Sequence, residues 1–259
     1  MDFGLTLGQL YELISHYFLV MLRISAMLHV APVFGERSVS ARLRFCLSLL
    51  IAIVLGSSIP DTGIGIYSWA GVGAMARQLL IGAAIGLIVQ LLFASVRLAG
   101  EIIGMQMGLS FANFFDPSSG NSPVVSRFLN VLVTLLFLTF NGHLWLLAFV
   151  AETFNTLPIE ASSSLTGGGL YLVKSAGIIF SQGLQLGLPI IALLLCINFI
   201  LALLNRLTPQ LSVFVIGFPL TLSIGMVALF LLIKTLAPFF QNLMEKGFST
   251  LEGLMLILS

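Results

Sequence analysis

Side-chain chemistry needs a nucleophile, a base or a metal ligand in company, and this chain keeps such residues apart. Its histidines, His16, His29 and His143, are dispersed, and each is read as a hydrogen-bonded packing residue rather than a ligand. Cys46 and Cys196 lie in separate apolar runs, which suggests neither a disulfide framework nor a zinc site. They are expected to be small core residues. There is no P-loop, HExxH or GxSxG motif, and no close pair of carboxylates inside an apolar segment. The expectation is a protein that is not an enzyme, with no catalytic site, no metal and no cofactor.

A few charges do stand in apolar surroundings, where they are candidates for function by default. Arg23 interrupts the first apolar run, far from any acid. Arg97 and Glu101 are four apart and share one helical face, so they can neutralise each other. With no chain of acids to form a proton relay, they are read as a structural ion pair near a helix end.

Glycines supply a second pattern. Gly82 and Gly86 are four apart, as are Gly183 and Gly187, and Gly100, Gly104 and Gly108 form a tandem series in GEIIGMQMG. Such spacing leaves a groove that lets another backbone approach closely. The groove serves either packing within the chain or contact with a partner.

Directly after the tandem glycines comes SFANFFDPSSGNSP. Its second half carries turn residues, Asp116-Pro117 and Ser119-Gly120-Asn121. Its first half carries Phe111, Phe114 and Phe115 beside Ala112 and Asn113, with Met105 and Met107 just upstream. Exposed apolar surface is unfavourable by about 25 cal/mol per Å². The segment is therefore expected either to re-enter protein, in a cavity or pore where irregular backbone is tolerated, or to anchor at a membrane interface.

The elements that must position these residues follow from composition. Of 259 residues, 58% are hydrophobic and only 8% charged, with net charge +1. A soluble domain carries about 25% charged residues, so this chain belongs in a membrane or within a membrane-associated assembly. The balance also argues against nucleic acid, which calls for a basic patch. No basic residue precedes Arg23, so the first apolar stretch is expected to be retained rather than cleaved. Apolar runs at 13–35, 45–60, 78–96, 128–151, 175–205 and 207–233 predict an all-α protein with about six hydrophobic helices. Pro189 and Pro219 are expected to kink the fifth and sixth. The second run is short enough for a half-span or a tilted, protein-buried helix.

Arg37, Arg42, Arg44, Arg97, Arg127 and Arg206 fall in the odd connections, which puts these on the cytoplasmic side and the N-terminus outside. The tail alternates Phe240, Leu243, Met244, Phe248, Leu251 and Met255 with Gln241, Asn242, Glu245, Lys246 and Glu252. It reads as an amphipathic helix lying on an interface or against a partner.

Three stretches in order, GEIIGMQMGLSFANFFDPSSG, LTFNGHLWLL with TFNTLPI, and NRLTPQLSVFVIGFPLTLSIG, resemble the FliR family of flagellar export-gate proteins, whose injectisome counterparts share the superfamily. The likeness covers essentially the whole chain. It implies a structural and gating subunit of a type III protein export channel, in which one copy closes a helical ring of FliP and FliQ subunits. FlhB and FlhA are implied as associates, and unfolded flagellar axial proteins as the cargo. It further implies that Ser110, Phe111, Ala112, Asn113, Phe114, Phe115, Asp116, Pro117, Ser118, Ser119, Gly120, Asn121 and Ser122 form a plug in the closed channel. Met105, Gln106 and Met107 would then be the plug's root and seal.

By the same resemblance, residues 1–171 are a FliP-like part and 172–259 a FliQ-like helical hairpin turning at Asn205-Arg206-Leu207-Thr208-Pro209. The implied location is the bacterial inner membrane at the flagellar basal body, with part of the assembly above the membrane plane on the periplasmic side. Two other classes compete with the gate. A secondary carrier, with helices broken at Pro189 and Pro219, should show related halves and polar groups converging at mid-membrane. An intramembrane enzyme should show a nucleophile with its base.

Overall fold

A computed structural model describes residues 7–36, 38–60, 63–109, 123–159, 165–208 and 213–258, and excludes the side chains of 165, 166 and 213–216. The fold is all-α, with no strand among the described residues. In chain order the helices are α1 (Leu7–Val30), α2 (Ala41–Gly56), α3 (Trp69–Gln106), α4 (Val124–Thr139), α5 (Gly142–Thr156), α6 (Leu165–Ser175), α7 (Ile178–Leu207) and α8 (Val213–Leu258).

Four helical stretches are long and apolar enough to cross a membrane, Leu7–Val30, Trp69–Gln106, Gly167–Leu207 and Gly217–Leu258. A fifth is added if the bent pair α4 and α5 counts as one span. The expected count of about six changes for local reasons. The run 45–60 forms α2, whose buried residues are only Ser48, Ala52 and Gly56. This stripe of small residues leaves the rest of α2 largely exposed in the lone chain. The run 128–151 breaks at Phe140 and Asn141, where Asn141 takes a left-handed φ of 56° and the helix path bends by 63°. Asparagine tolerates that conformation better than most residues.

The prolines end nothing. Pro189 lies within α7, and Pro219 and Pro238 lie within α8. The amphipathic tail is the continuation of the last span, not a separate helix. Phe240, Leu243 and Leu251 are buried in this chain, while Gln241, Asn242, Glu245, Lys246 and Glu252 are exposed. The face expected to seek an interface or partner is therefore covered from within. Cys46 and Cys196 are both exposed, contrary to the core position expected. Apolar neighbours in sequence signalled the membrane-type environment but not the direction each side chain takes.

The chain divides into two compact units. The first comprises Met1–Gln90, Asn141–Ala176 and Gly247–Ser259, and the second Leu91–Phe140 and Gly177–Lys246. In the first, the buried apolar residues include Leu19, Ile24, Met27 and Leu28 of α1, Ile81 and Ile85 of α3, Leu146 and Val150 of α5, and Leu251 and Leu254 of α8. In the second, Phe93 meets Phe137 and Phe240 edge-on at 5.5 and 5.9 Å, an arrangement favoured by ring quadrupoles.

Candidate functional site

The segment 110–122 lies outside the described residues, but both of its attachments are defined. α3 ends at Gln106 with a Schellman cap. Leu109 N donates to Gly104 O at 3.1 Å, Gly108 N donates to Met105 O at 3.0 Å, and Gly108 takes the left-handed φ of 80° this cap requires. Gly108 is thus the helix terminator rather than a packing position. On the return side Pro123 precedes α4. A Cβ on Gly100 would stand 2.5 Å from Ser126 Cα, and one on Gly104 3.7 Å from Pro123 and Val125. The last turns of α3 therefore lie against the first turn of α4, and the chain re-enters the fold beside the place where it left.

The three residues at the root are set differently from one another. Met107 is fully buried, and its side chain lies so close to Gly225 of α8 that a Cβ there would come within 2.6 to 2.8 Å of it. Gln106 Oε1 accepts from Asn198 Nδ2 of α7 at 3.5 Å. Met105 is 55% exposed. Met107 and Gln106 thus tie the stem to α8 and α7, and Met105 is the one free to meet another surface. Arg97 and Glu101 lie one turn apart on α3, both half-buried.

Most of the remaining glycines pack against backbone of the same chain. A Cβ on Gly82 would collide with the Arg23 carbonyl oxygen, and one on Gly86 would come within 2.9 Å of Met27 O and Val30 Cβ. This close approach binds α3 to α1. Gly183 faces Ser95 O at 2.7 Å, and Gly187 faces Ala99 at 3.6 Å, binding α7 to α3.

Sequence reasoning singled out Arg23 without finding its partners. It is fully buried and engages neutral groups. Nε donates to Gln78 Oε1 at 2.6 Å, Nη1 to Thr153 Oγ1 at 3.1 Å, and Nη2 to the Leu157 carbonyl at 2.9 Å. The guanidinium carbon lies 4.0 Å from the centre of the Phe154 ring. A planar, delocalised cation with forked donors can bind three acceptors on separate elements, which an ammonium cannot. Arg23 thereby fastens α1 to α3, to α5 and to the turn that follows α5. No periodicity rule pairs residue 23 with 78, 153 and 157. Only the isolated charge within an apolar run marked the position.

Comparison with known proteins bears on the whole of this arrangement. The family described as Bacterial export proteins, family 1, matches residues 14–247. The flagellar biosynthetic protein FliR of Pectobacterium carotovorum subsp. carotovorum is 47% identical over 247 residues, covering 95% of each chain. That of Escherichia coli (strain K12) is 46% identical over 239 residues, covering 92% of each. The chain belongs to the FliR family of bacterial export proteins. A more distant relative, FliR of Bacillus subtilis (strain 168), is 28% identical over 256 residues, covering 96% of this chain and 98% of its own. The family match takes in the loop stem, its glycines and all five members of the Arg23 cluster, and ends just after Lys246. In this FliR-family chain the last turns of α8 therefore lie beyond the matched stretch.

Proposed function

We propose that this FliR-family chain is the structural and gating subunit of a flagellar type III protein export channel. The coarse part of the reading, a membrane-embedded component of the flagellar export apparatus, rests on family membership and on the apolar helices. The finer part is that one copy closes a helical ring of FliP and FliQ subunits. In that ring residues 110–122 obstruct the closed pore, and FlhB and FlhA associate with it. Unfolded flagellar axial proteins are the cargo. The site is the inner membrane at the basal body, with part of the assembly above the membrane plane. The chain moves an obstruction and performs no bond chemistry, so it needs no cofactor.

One observation carries the plug reading, the closed stem at the base of the segment. A loop whose two attachments are locked by the Gly108 cap and by the contact of Gly100 with Ser126 can be displaced without pulling apart the helices that bear it. The large apolar residues Phe111, Phe114 and Phe115 would obstruct ions by dewetting, as hydrophobic constrictions do in channels. Arg97–Glu101 would neutralise itself within the same helix, and Met105, exposed, would seal against a partner.

The FliP-like part at 1–171 and the FliQ-like hairpin at 172–259 are proposed as a statement of kinship. In keeping with the hairpin, α7 ends at Leu207, where Thr208 N caps the Leu204 carbonyl, and a second long apolar helix follows after 212. The compact units cut the chain elsewhere, because compactness records packing and not descent. Much of α7 and α8 faces outward, with Phe180, Leu188, Phe199, Val227 and Phe230 each more than half exposed. Such apolar area needs a neighbouring subunit or lipid over it.

Deleting 110–122 and joining the stem with a short glycine link tests the plug. The expected outcome is an assembled complex, by native mass spectrometry with FliP and FliQ, in a membrane that has become permeable to ions. A deletion complex that stays ion-tight and exports normally would show the plug assignment to be wrong.

A further inference from the structure

The inward seam of α8 follows from helical spacing. Thr221, Leu229, Leu232, Leu236, Phe240 and Leu243 lie along one face of the helix, and all are buried. Gly225 stands on the same face, one turn from Thr221 and one turn from Leu229, and is buried too. Every other place on this seam carries a side chain, and Gly225 carries none. Met107 of α3 fills the gap. A Cβ on Gly225 would stand 2.6 Å from Met107 Cγ, 2.8 Å from Sδ and 2.7 Å from Cε. Carbon atoms in contact sit about 3.5–4.0 Å apart, so no side chain fits there while Met107 keeps its place. The thioether lies flat along bare backbone, and Met107 is fully buried.

A second contact fixes the same turn of α3. Gln106 is the single polar side chain between Glu101 and Ser110, and Asn198 is the single amide between Gln185 and Asn205. The two meet, with Asn198 Nδ2 donating to Gln106 Oε1 at 3.5 Å. A polar group in apolar surroundings is costly to leave without a partner, so such a pair favours one register of α3 on α7. Notch and amide pair thus act on consecutive residues from two different helices. Met107 sets how deeply the end of α3 sits against α8, and Gln106 sets its height along α7. Gly108 follows at once, and its cap passes that placement to Leu109, the last described residue before 110–122. All of these residues belong to the second compact unit.

We infer that Gly225 is a positioning residue of the gate: its notch seats Met107, and through Met107 it decides where the obstructing segment begins. The inference rests on the plug reading and names what holds the plug's base. Tightness of the closed pore then depends on a glycine of α8 that lies outside both the segment and its stem. The same helix faces outward beside the notch, where Met226 and Val227 are each more than half exposed. Close-packed interiors transmit displacement rather than absorb it. A neighbour seated on that outer face therefore bears on Met107 through one thickness of helix, and the hairpin carries its own position to the stem.

The test uses the full chain expressed with FliP and FliQ, scored for partner retention by native mass spectrometry and for ion permeability of the membrane. The 110–122 deletion sets the scale of an unobstructed pore. Gly225→Leu drives Met107 from the notch, and Met107→Ala leaves the notch unfilled. Each should retain both partners and leak towards the level of the deletion. The Gly225→Leu, Met107→Ala double variant returns the bulk from the opposite side of the contact and should restore wild-type tightness, a non-additivity that belongs to groups in contact. If Gly225→Leu does not assemble, Gly225→Ala, with one added carbon, and Met107→Ala, with none, remain decisive. A role in stability alone would lower the melting temperature or the retained partners and leave the assembled complexes tight. Assembled single variants that stay tight beside a leaking deletion, or a double variant no tighter than the singles, would overturn the inference and leave the plug standing. A deletion that is itself tight would remove both.

Discussion

Arg23 shows what a single charge can do without a counter-charge. Its three hydrogen bonds reach three acceptors on separate parts of one unit. Removing it leaves those buried acceptors unsatisfied at about 1–3 kcal/mol each. Arg23→Met is therefore expected to destabilise the chain by about 3 kcal/mol or more, read as a drop in melting temperature in detergent. Arg23→Lys should recover little of it, because one ammonium cannot span the fork. A lysine variant as stable as wild type would show that only the charge matters. This residue also marks the limit of reading the sequence. The lone arginine in an apolar run was visible as an anomaly, but its partners lie 55, 130 and 134 positions away, and nothing local encodes them.

A second residue-scale contrast lies at the loop stem. Gly104 is helical with room for a methyl group, whereas Gly108 sits at a positive φ. Gly104→Ala should be neutral or stabilising by about 0.5 kcal/mol. Gly108→Ala should cost about 1 kcal/mol or more and should shift the start of the loop. Thermal melts check the stability difference, and ion permeability of the assembled complex checks the shift. Equal behaviour of the two variants would mean that the cap does not hold the stem.

At the scale of elements, the helical class was legible because the apolar runs are long and lipid tolerates no unpaired backbone. Their number was less so. The break at Asn141 follows from one left-handed backbone conformation within an unbroken apolar run, which hydropathy does not register. The continuity of α8 was hidden for the opposite reason, since the change from uniformly apolar to amphipathic looks like a boundary when only the solvent changes. The glycine pairs were legible as close-packing sites, and their spacing alone left open what packs there. The contact of α3 with α1 answers for Gly82 and Gly86. Gly82→Ala is expected to force that pair apart and to destabilise the chain by about 1–3 kcal/mol, as overpacking does. Native-state hydrogen exchange should show the loss concentrated in α1 and α3. Unchanged exchange there would place the glycine's importance elsewhere.

On the scale of the whole molecule, length decides more than composition. At 1.5 Å per residue the 38 residues of α3 span roughly 57 Å and the 46 of α8 roughly 69 Å, against a hydrocarbon core of about 30 Å. Each helix is therefore longer than the hydrocarbon core is thick. The two native cysteines report on what surrounds the chain without mutation. Cys196 on α7 and Cys46 on α2 are both exposed in the lone chain. In detergent both should react with a small maleimide, and assembly with FliP and FliQ should protect Cys196, whose helix carries the broad apolar face. If both thiols react as fast after assembly, that face is covered by lipid rather than by protein.

The interleaved make-up of the first unit has a consequence for biosynthesis. Residues 1–90 leave the ribosome well before the segment that closes the unit, from Gly247 onward. Until then the seats for Phe248 on Trp145, for Leu258 on Gly168 and for Gly253 on Tyr171 stand empty. A nascent chain must wait with this earlier part unfinished, and a premature stop at Gly247 would damage a portion made long before it. Proteolytic quality control would then recognise a C-terminal truncation by an opening near the N-terminal helices.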